Sequence, residues 1–313
     1  MFTVIDTETT GIDPAEHALV EVAAVDVVDE ALRRINSSLI NPQRSIPPEA
    51  SAVHHITDLD VIGAPLARDA VPEIVLPDDE KIYVAHNSAF EQSFLEPYLP
   101  GAHWICTFKA AKRVWPQAPN HKNQTLRYFL NLPVERDRAD QSHRAGPDAY
   151  VTAHLFLRLL REASVEQMLQ WTKEPVYMPL CPIGEDKGFK DKPWAEVEVG
   201  FLRWMIDKPI DNKDAIWHAE QELKRRSAEA DARISTQLNQ EKADRDLYIN
   251  TALTVAIPKT VSVDDLNLWW LEQAANRKHF RIVKGTPEYA KLAEACRVHK
   301  ATLPQQQQTD AAA

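Results

Sequence analysis

The chain has 313 residues, of which 44% are apolar and 26% charged, and a formal net charge of −10. That balance excludes collagen-like and wholly disordered classes and supplies core for one large domain or two modest ones. No apolar run approaches the roughly 20 residues that span a bilayer, and the acidic balance argues mildly against a general nucleic-acid binder.

Residues 2–6 (FTVID) read as a buried strand, and 18–28 and 33–40 as two more, joined near Asp29 and Glu30. Three strands in succession suggest a meander. Helical patterns follow near 48–54 and 65–76, then the strand KIYVA at 81–85. AFEQSFLEPYL, 89–99, reads as a helix with Ser88 as its N-cap. A short strand at 104–107 precedes helices at 108–115 and 124–131. Residues 133–146 look like a mobile charged loop, and Pro147 suits the first position of a helix through DAYVTAHLFLRLL. Strands followed by strand–helix alternation predict an α/β domain with a mixed sheet flanked by helices, ending near residue 170.

The remainder is different in kind. Residues 171–213 are rich in proline and carry Lys187, Lys190 and Lys192 beside Phe189 and Trp194, a mixture that suits single-stranded nucleic acid or an ordinary charged loop. Residues 214–254 read as one long charged helix whose apolar positions, Ile234 and Leu238 among them, fit a heptad only raggedly; a solvated helix lying on the body is preferred to a dimer coil. Residues 255–303 form a small, mainly helical unit with the basic stretch Arg277, Lys278, His279, Arg281 and Lys284, a nucleic-acid face or a protein-partner surface. The tail 304–313 is expected to be disordered. Cys106, Cys181 and Cys296 are too sparse for a disulfide framework or a metal cluster. The first residues lack the basic and apolar regions of a secretory signal, so the expected location is the cytoplasm, with no membrane contact.

Three acidic signals carry chemistry. Asp6 and Glu8 sit two residues apart at a strand end and so share a face. Carboxylates that close repel unless a cation lies between them, and hard oxygen donors suit magnesium or manganese. Glu91 follows the strand ending at residue 85 and enters a helix, where an acid is also favoured by the helix dipole alone. His143, in the loop, precedes Asp148, in the first turn of the next helix; a loop histidine can accept a proton near neutral pH.

In order and context these segments resemble the DEDDh (DnaQ-like) 3′→5′ exonucleases. IDTETTGI at 5–12, NPQRSIPPEASAVHHIT at 41–57, VAHNSAFEQSFL at 84–95 and HRAGPDAYVTAHL at 143–155 are similar, more narrowly, to the bacterial exodeoxyribonuclease X group. The likeness extends weakly through 182–206, about two thirds of the chain in all. The resemblance implies a ribonuclease H-like fold over 1–170, a small extension over 171–213, and a two-metal nuclease using Mg2+ or Mn2+. It makes Asp6, Glu8, Glu91 and Asp148 the metal-binding carboxylates and His143 the general base. It also assigns Thr9, Thr10, Gly11, Ile12, His54, Asn87 and Phe90 to the terminal nucleotide. Glu91 departs from the family, which usually has Asp there. The implied substrate is DNA, single-stranded or at 3′ ends, with RNA the alternative. A scaffolding module with an impaired metal site is the reading from another class. Lys109, Lys112, Arg113, Arg127 and Arg144 are candidate phosphate contacts, and 214–303 a candidate surface for a protein partner or self-association.

Overall fold

The computed structural model describes residues 1–208 and 210–304. Two compact units emerge, one ending at Glu222 and the other beginning at Leu223. The expected disordered tail lies, from residue 305 onward, outside the described residues.

The first unit is organised by a five-stranded sheet of order β3-β2-β1-β4-β5. Strands β1 (Phe2–Thr9), β2 (Leu19–Val28) and β3 (Ala31–Leu39) form the antiparallel meander expected from the sequence. After helices α1 (Pro48–His54) and α2 (Ala67–Val75), strand β4 (Ile82–Ala85) joins β1 in parallel. Helix α3 (Ala89–Leu95) then leads to β5 (His103–Cys106), parallel to β4. Because β1 and β4 are adjacent and parallel, both carboxyl ends emerge at the same edge, the place where open α/β sheets present their sites.

Side-chain alternation sorts β1 onto two cores. Val4 packs with Ala23, Val25, Val84 and Ile105 on one face, and Ile5 with Val22, Ala24 and Tyr83 on the other. The first face is covered by α4 (Thr107–Val114), α7 (Ala145–Leu159) and α8 (Val165–Lys173). Between them run α5 (Asn123–Phe129) and the four-residue α6 (Arg136–Ala139). On α7, Ala149, Ala153, Phe156 and Leu159 are all buried, and Phe156 meets Phe2 edge-on at 4.9 Å. That apolar stripe fixes α7 across β1 and β2 and so fixes whatever its first turn carries.

Three local expectations are corrected. Ser88 holds the N-cap position of α3 but makes no capping bond: its backbone is already helical, and its hydroxyl accepts from Gln92 Nε2 at 3.0 Å instead. Helix α7 starts at Ala145, so Pro147 is its third residue, still within the turn whose N–H groups lack intrahelical partners. Residues 133–146 are tied down by α6 and by Arg127, whose Nη1 donates to the Ala139 carbonyl at 2.9 Å and Nη2 to Asp140 at 2.8 Å.

Beyond the sheet, Trp194 is buried, donates to the Met178 carbonyl at 2.8 Å and stacks on His218 at 5.5 Å; Phe189 lies against Phe201 at 4.9 Å. The ordinary reading of that lysine-rich segment therefore holds for its tryptophan, which is buried, as are Leu202 and Met205 of α9 (Val199–Asp207). Helix α10 is a single run from Lys213 to Thr251. Residues 227–244 are exposed throughout, Ile234 and Leu238 at 57% and 59%, so this stretch is solvated on every side rather than laid on a body.

In the second unit, a π-helical turn over Ala252–Ala256 and α11 (Ile257–Lys259) connect to α12 (Val263–Glu272), α13 (Ala274–His279) and α14 (Pro287–Lys300). Its core is Ile249, Ala252, Ile282 and Leu292, with Trp269, Trp270, Phe280 and Tyr289 packed around them. Among the described residues, no helix is long and apolar enough to cross a membrane.

Candidate active site

Strand β1 runs on past the predicted residue 6, so Asp6 and Glu8 lie within it, on the same face as Val4. Helix α7 covers that face, and its first turn brings Asp148 down onto the pair. Oxygens of Asp6, Glu8 and Asp148 all lie within 4.8 Å of one another. The strand pairing is irregular between Glu8 and Thr9, where β1 leaves the sheet; such bulges re-aim side chains next to active sites.

Glu91, on α3, is 4% exposed, and its Oε2 has no hydrogen-bond partner among the described residues. Burial, opposed by its own backbone N–H and reinforced by the Glu8 charge, pushes its carboxyl up to about 8. Glu8 is likewise raised to about 8, by burial and then by Asp148 and Glu21, with Arg144 working in the opposite direction. Asp6 is raised well above the carboxylate range by burial and then by Glu91, Asp148 and Glu8. Asp148 is raised too, chiefly by burial, although the His143 backbone N–H at 2.7 Å and Gln124 Nε2 at 3.1 Å both donate to it. Four acids therefore feel one another's charge, with too few protein cations to offset it. An orphaned buried oxygen and hard carboxylate donors fit divalent cations.

His143 is exposed, in a left-handed turn (φ 62°) beside the cluster, held through its main chain to Asp148. His86 is spent on structure: its ring nitrogens contact the Thr107 hydroxyl at 2.9 Å and the His121 carbonyl at 2.8 Å, and burial lowers its pKa to about 4.

The expected nucleotide-binding residues gather around the end of β1. Thr9 and Thr10 are buried; the Thr9 hydroxyl donates to the Gly11 carbonyl at 2.6 Å, and the Thr10 hydroxyl accepts from the Ala18 N–H at 3.0 Å. At Gly11 a Cβ would stand 2.4 Å from the His17 ring, which would have to swing aside to admit a larger residue. Ile12 projects at 85% exposure. His54, 2% exposed, accepts from the Ile56 N–H at 3.0 Å through Nδ1, and its ring lies against the Thr9 main chain. Its Nε2 is buried without a hydrogen-bond partner among the described residues. Asn87 is exposed in a left-handed conformation (φ 76°) before α3. Phe90 is half-buried against Phe94 at 5.1 Å.

Four of the five proposed phosphate contacts are engaged inside the protein. Lys109 Nζ donates to the Thr172 and Glu174 carbonyls at 2.8 and 2.6 Å, and Arg113 pairs with Glu174 at 2.8 Å. Arg127 is buried on Ala139 and Asp140. Arg144 grips Glu21 with two bonds of 3.0 and 2.7 Å. Lys112 has its ammonium 5.7 Å from the Phe108 ring centre.

Two residues escaped the sequence reading. Glu21 stands directly opposite Glu8 in the β1–β2 pairing, is 4% exposed, and accepts from both Arg144 and the Ala145 N–H. It thus fastens the start of α7 to the sheet. Its signal was available in principle, since the meander register sets Glu8 against Glu21. Gln124 left no local signal, because its contact with Asp148 depends on how α5 packs beside α7.

Known proteins similar to this chain include exonucleases and a DNA polymerase III subunit. An exonuclease family model (RNase_T) matches residues 3–156. Exodeoxyribonuclease 10 of Escherichia coli strain K12 is 35% identical over 209 residues, 66% of this chain and 91% of that protein. The DNA polymerase III subunit epsilon of Treponema pallidum is 31% identical over 166 residues, 51% of this chain and 76% of its own length. A solved structure of exonuclease X in complex with 5′ overhanging duplex DNA is 37% identical, covering 55% of this chain and 99% of that one with a TM-score of 0.49. The first unit has the ribonuclease H-like exonuclease fold, and the chain belongs to the DnaQ-like exonuclease family.

Proposed function

We propose that this protein is a metal-dependent 3′→5′ exodeoxyribonuclease, releasing nucleoside 5′-monophosphates in DNA repair, recombination or end degradation in the cytoplasm. The observation that carries the reading is the meeting of Asp6, Glu8 and Asp148 within 4.8 Å. The similarity to a protein named as an exodeoxyribonuclease supports DNA as the substrate.

Asp6, Glu8, Asp148 and Glu91 would hold two magnesium or manganese ions. Bound there, they would lower the pKa of a water and offset charge on the phosphate. His143 accepts the proton of the attacking water at a ring nitrogen; its exposed turn leaves the ring free to approach, while its backbone stays fixed to Asp148. Main chain of Thr9 to Ile12, with Asn87 and Phe90, holds the terminal nucleotide, and Ile12 wedges against its base. His54 supports that strand end through Thr9.

The nuclease module occupies 1–170 and the small extension 171–213. A protein partner or self-association would use 214–303, a reading that the exposed Ile234 and Leu238, one turn apart on α10, support. A 5′-labelled DNA strand incubated with magnesium tests the activity. The expected result is a ladder shortening from the 3′ end, with Asp6→Ala slowed by about a thousandfold or more, the scale on which a reaction depends on its central charged groups. Internal cleavage from the first turnover, or equal rates for parent and variant, would refute it.

A further inference from the structure

The second unit contains a groove that the nuclease centre does not use. Helices α12 and α14 meet along an open cleft of about 370 Å³, within the usual size of a small-ligand site. Leu266 and Trp270 on one side and Cys296 on the other form its walls, while Asn267, Arg297 and Lys300 add polar and cationic groups. Trp270 meets Tyr289, also in the groove, edge-on at 5.6 Å.

Two further observations point to an anionic occupant. The chain is acidic overall, yet the groove lining holds Arg297 and Lys300 and no carboxylate, the acids of α12 (Asp264, Asp265 and Glu272) lying outside that lining. Behind the groove, the Arg277 guanidinium stacks 3.9 Å from the Trp270 ring centre, is 8% exposed, and leaves Nη1 without a hydrogen-bond partner among the described residues. A buried, incompletely satisfied cation against an aromatic wall makes the local potential positive. Arg297 does pair with Glu294, but this is an exposed pair three residues apart on one helix. Such pairs are weak, and a phosphate can displace the carboxylate.

We infer that the α12–α14 groove binds single-stranded nucleic acid, with a base against Trp270 and Tyr289 and flanking phosphates at Arg297 and Lys300. Aromatic surface with nearby cations is how proteins hold unpaired strands without reading sequence. An acidic peptide would satisfy the cations but leave the aromatic wall without a planar partner. The choice of a polynucleotide rests on the proposed nuclease function.

Cys296 provides the test. It is half-buried in the groove wall, whereas Cys106 and Cys181 are buried, so a maleimide reacts with the native full-length chain chiefly at Cys296. The chain is labelled in EDTA, where strands stay intact, with a thymidine oligonucleotide at about ten times its Kd. Mass spectrometry of the labelled peptide should show Cys296 protected by about tenfold, the factor expected of a site occupied to that degree. Added salt should erode the protection, because released counterions drive phosphate binding. Lys300→Glu, at an exposed position, should lose most of it, as should Arg297→Glu. No protection, equal protection by oligoglutamate, or undiminished protection in both variants would overturn the inference. The magnesium-dependent degradation assay is read separately. Degradation without Cys296 protection refutes the groove alone, and protection without degradation refutes the nuclease reading alone.

Discussion

At the scale of single residues, the site depends on alternation in one strand and on one helical turn. Asp6 and Glu8 were legible because a strand end fixes their common face whatever the rest of the chain does. Asp148 was legible from the helix signal around Pro147. Glu21 and Gln124 were not, because a strand glutamate and a helix glutamine have many uses and only the assembled sheet shows which one applies. Nor does counting cations reveal that Lys109, Arg113, Arg127 and Arg144 have partners inside the protein. Glu91 is the residue at which chain and family diverge. Its charge raises Asp6, and Glu8 in turn raises Glu91, so it acts on the cluster through its charge, although its oxygens lie outside the set of Asp6, Glu8 and Asp148 oxygens that meet within 4.8 Å. We predict that Glu91→Asp brings no large gain in kcat/KM. A gain near the roughly hundredfold that an ångström-scale misplacement costs would show instead that the longer side chain handicaps the site.

At the scale of elements, α7 links packing to chemistry. Its apolar face is set by core residues from Ala149 to Leu159, and its first turn is clamped to β2 through Glu21. The helix itself was predictable from its periodicity, but the clamp was not, because it joins residues 123 positions apart. Arg144→Ala removes two charge-assisted bonds and leaves Glu21 with one donor, the Ala145 N–H. The expected cost is about 1–3 kcal/mol, the range for hydrogen bonds to charged groups, read as a lower denaturation midpoint. Activity should fall by about 10–100-fold, as when the support of a metal ligand is removed. Unchanged stability together with unchanged activity would show that the clamp does nothing for Asp148.

At the scale of the whole molecule, the sequence indicated a mixed-sheet nuclease followed by helices, but not the character of those helices. The ragged heptad of α10 left open whether it lies on a body; its exposed middle stretch answers that, since too few apolar side chains line up to bury one face. The acidic cluster also makes stability depend on pH. Glu8 and Glu91 hold protons up to about pH 8 in the folded state but release them near 4.5 when unfolded. Between those values unfolding releases protons, so the metal-free protein loses stability as pH rises; below the window these groups contribute nothing, and above it the penalty is constant. Melting temperatures in EDTA should therefore fall from about pH 5 to about pH 8, and a flat or rising profile would contradict the burial of these carboxylates. The central claim is that these acids exist to hold divalent cations, and anomalous diffraction from manganese-soaked crystals tests it most directly. The account predicts manganese density bounded by Asp6, Glu8 and Asp148, absent from Asp6→Ala crystals; density only elsewhere, or none at millimolar manganese, would contradict it.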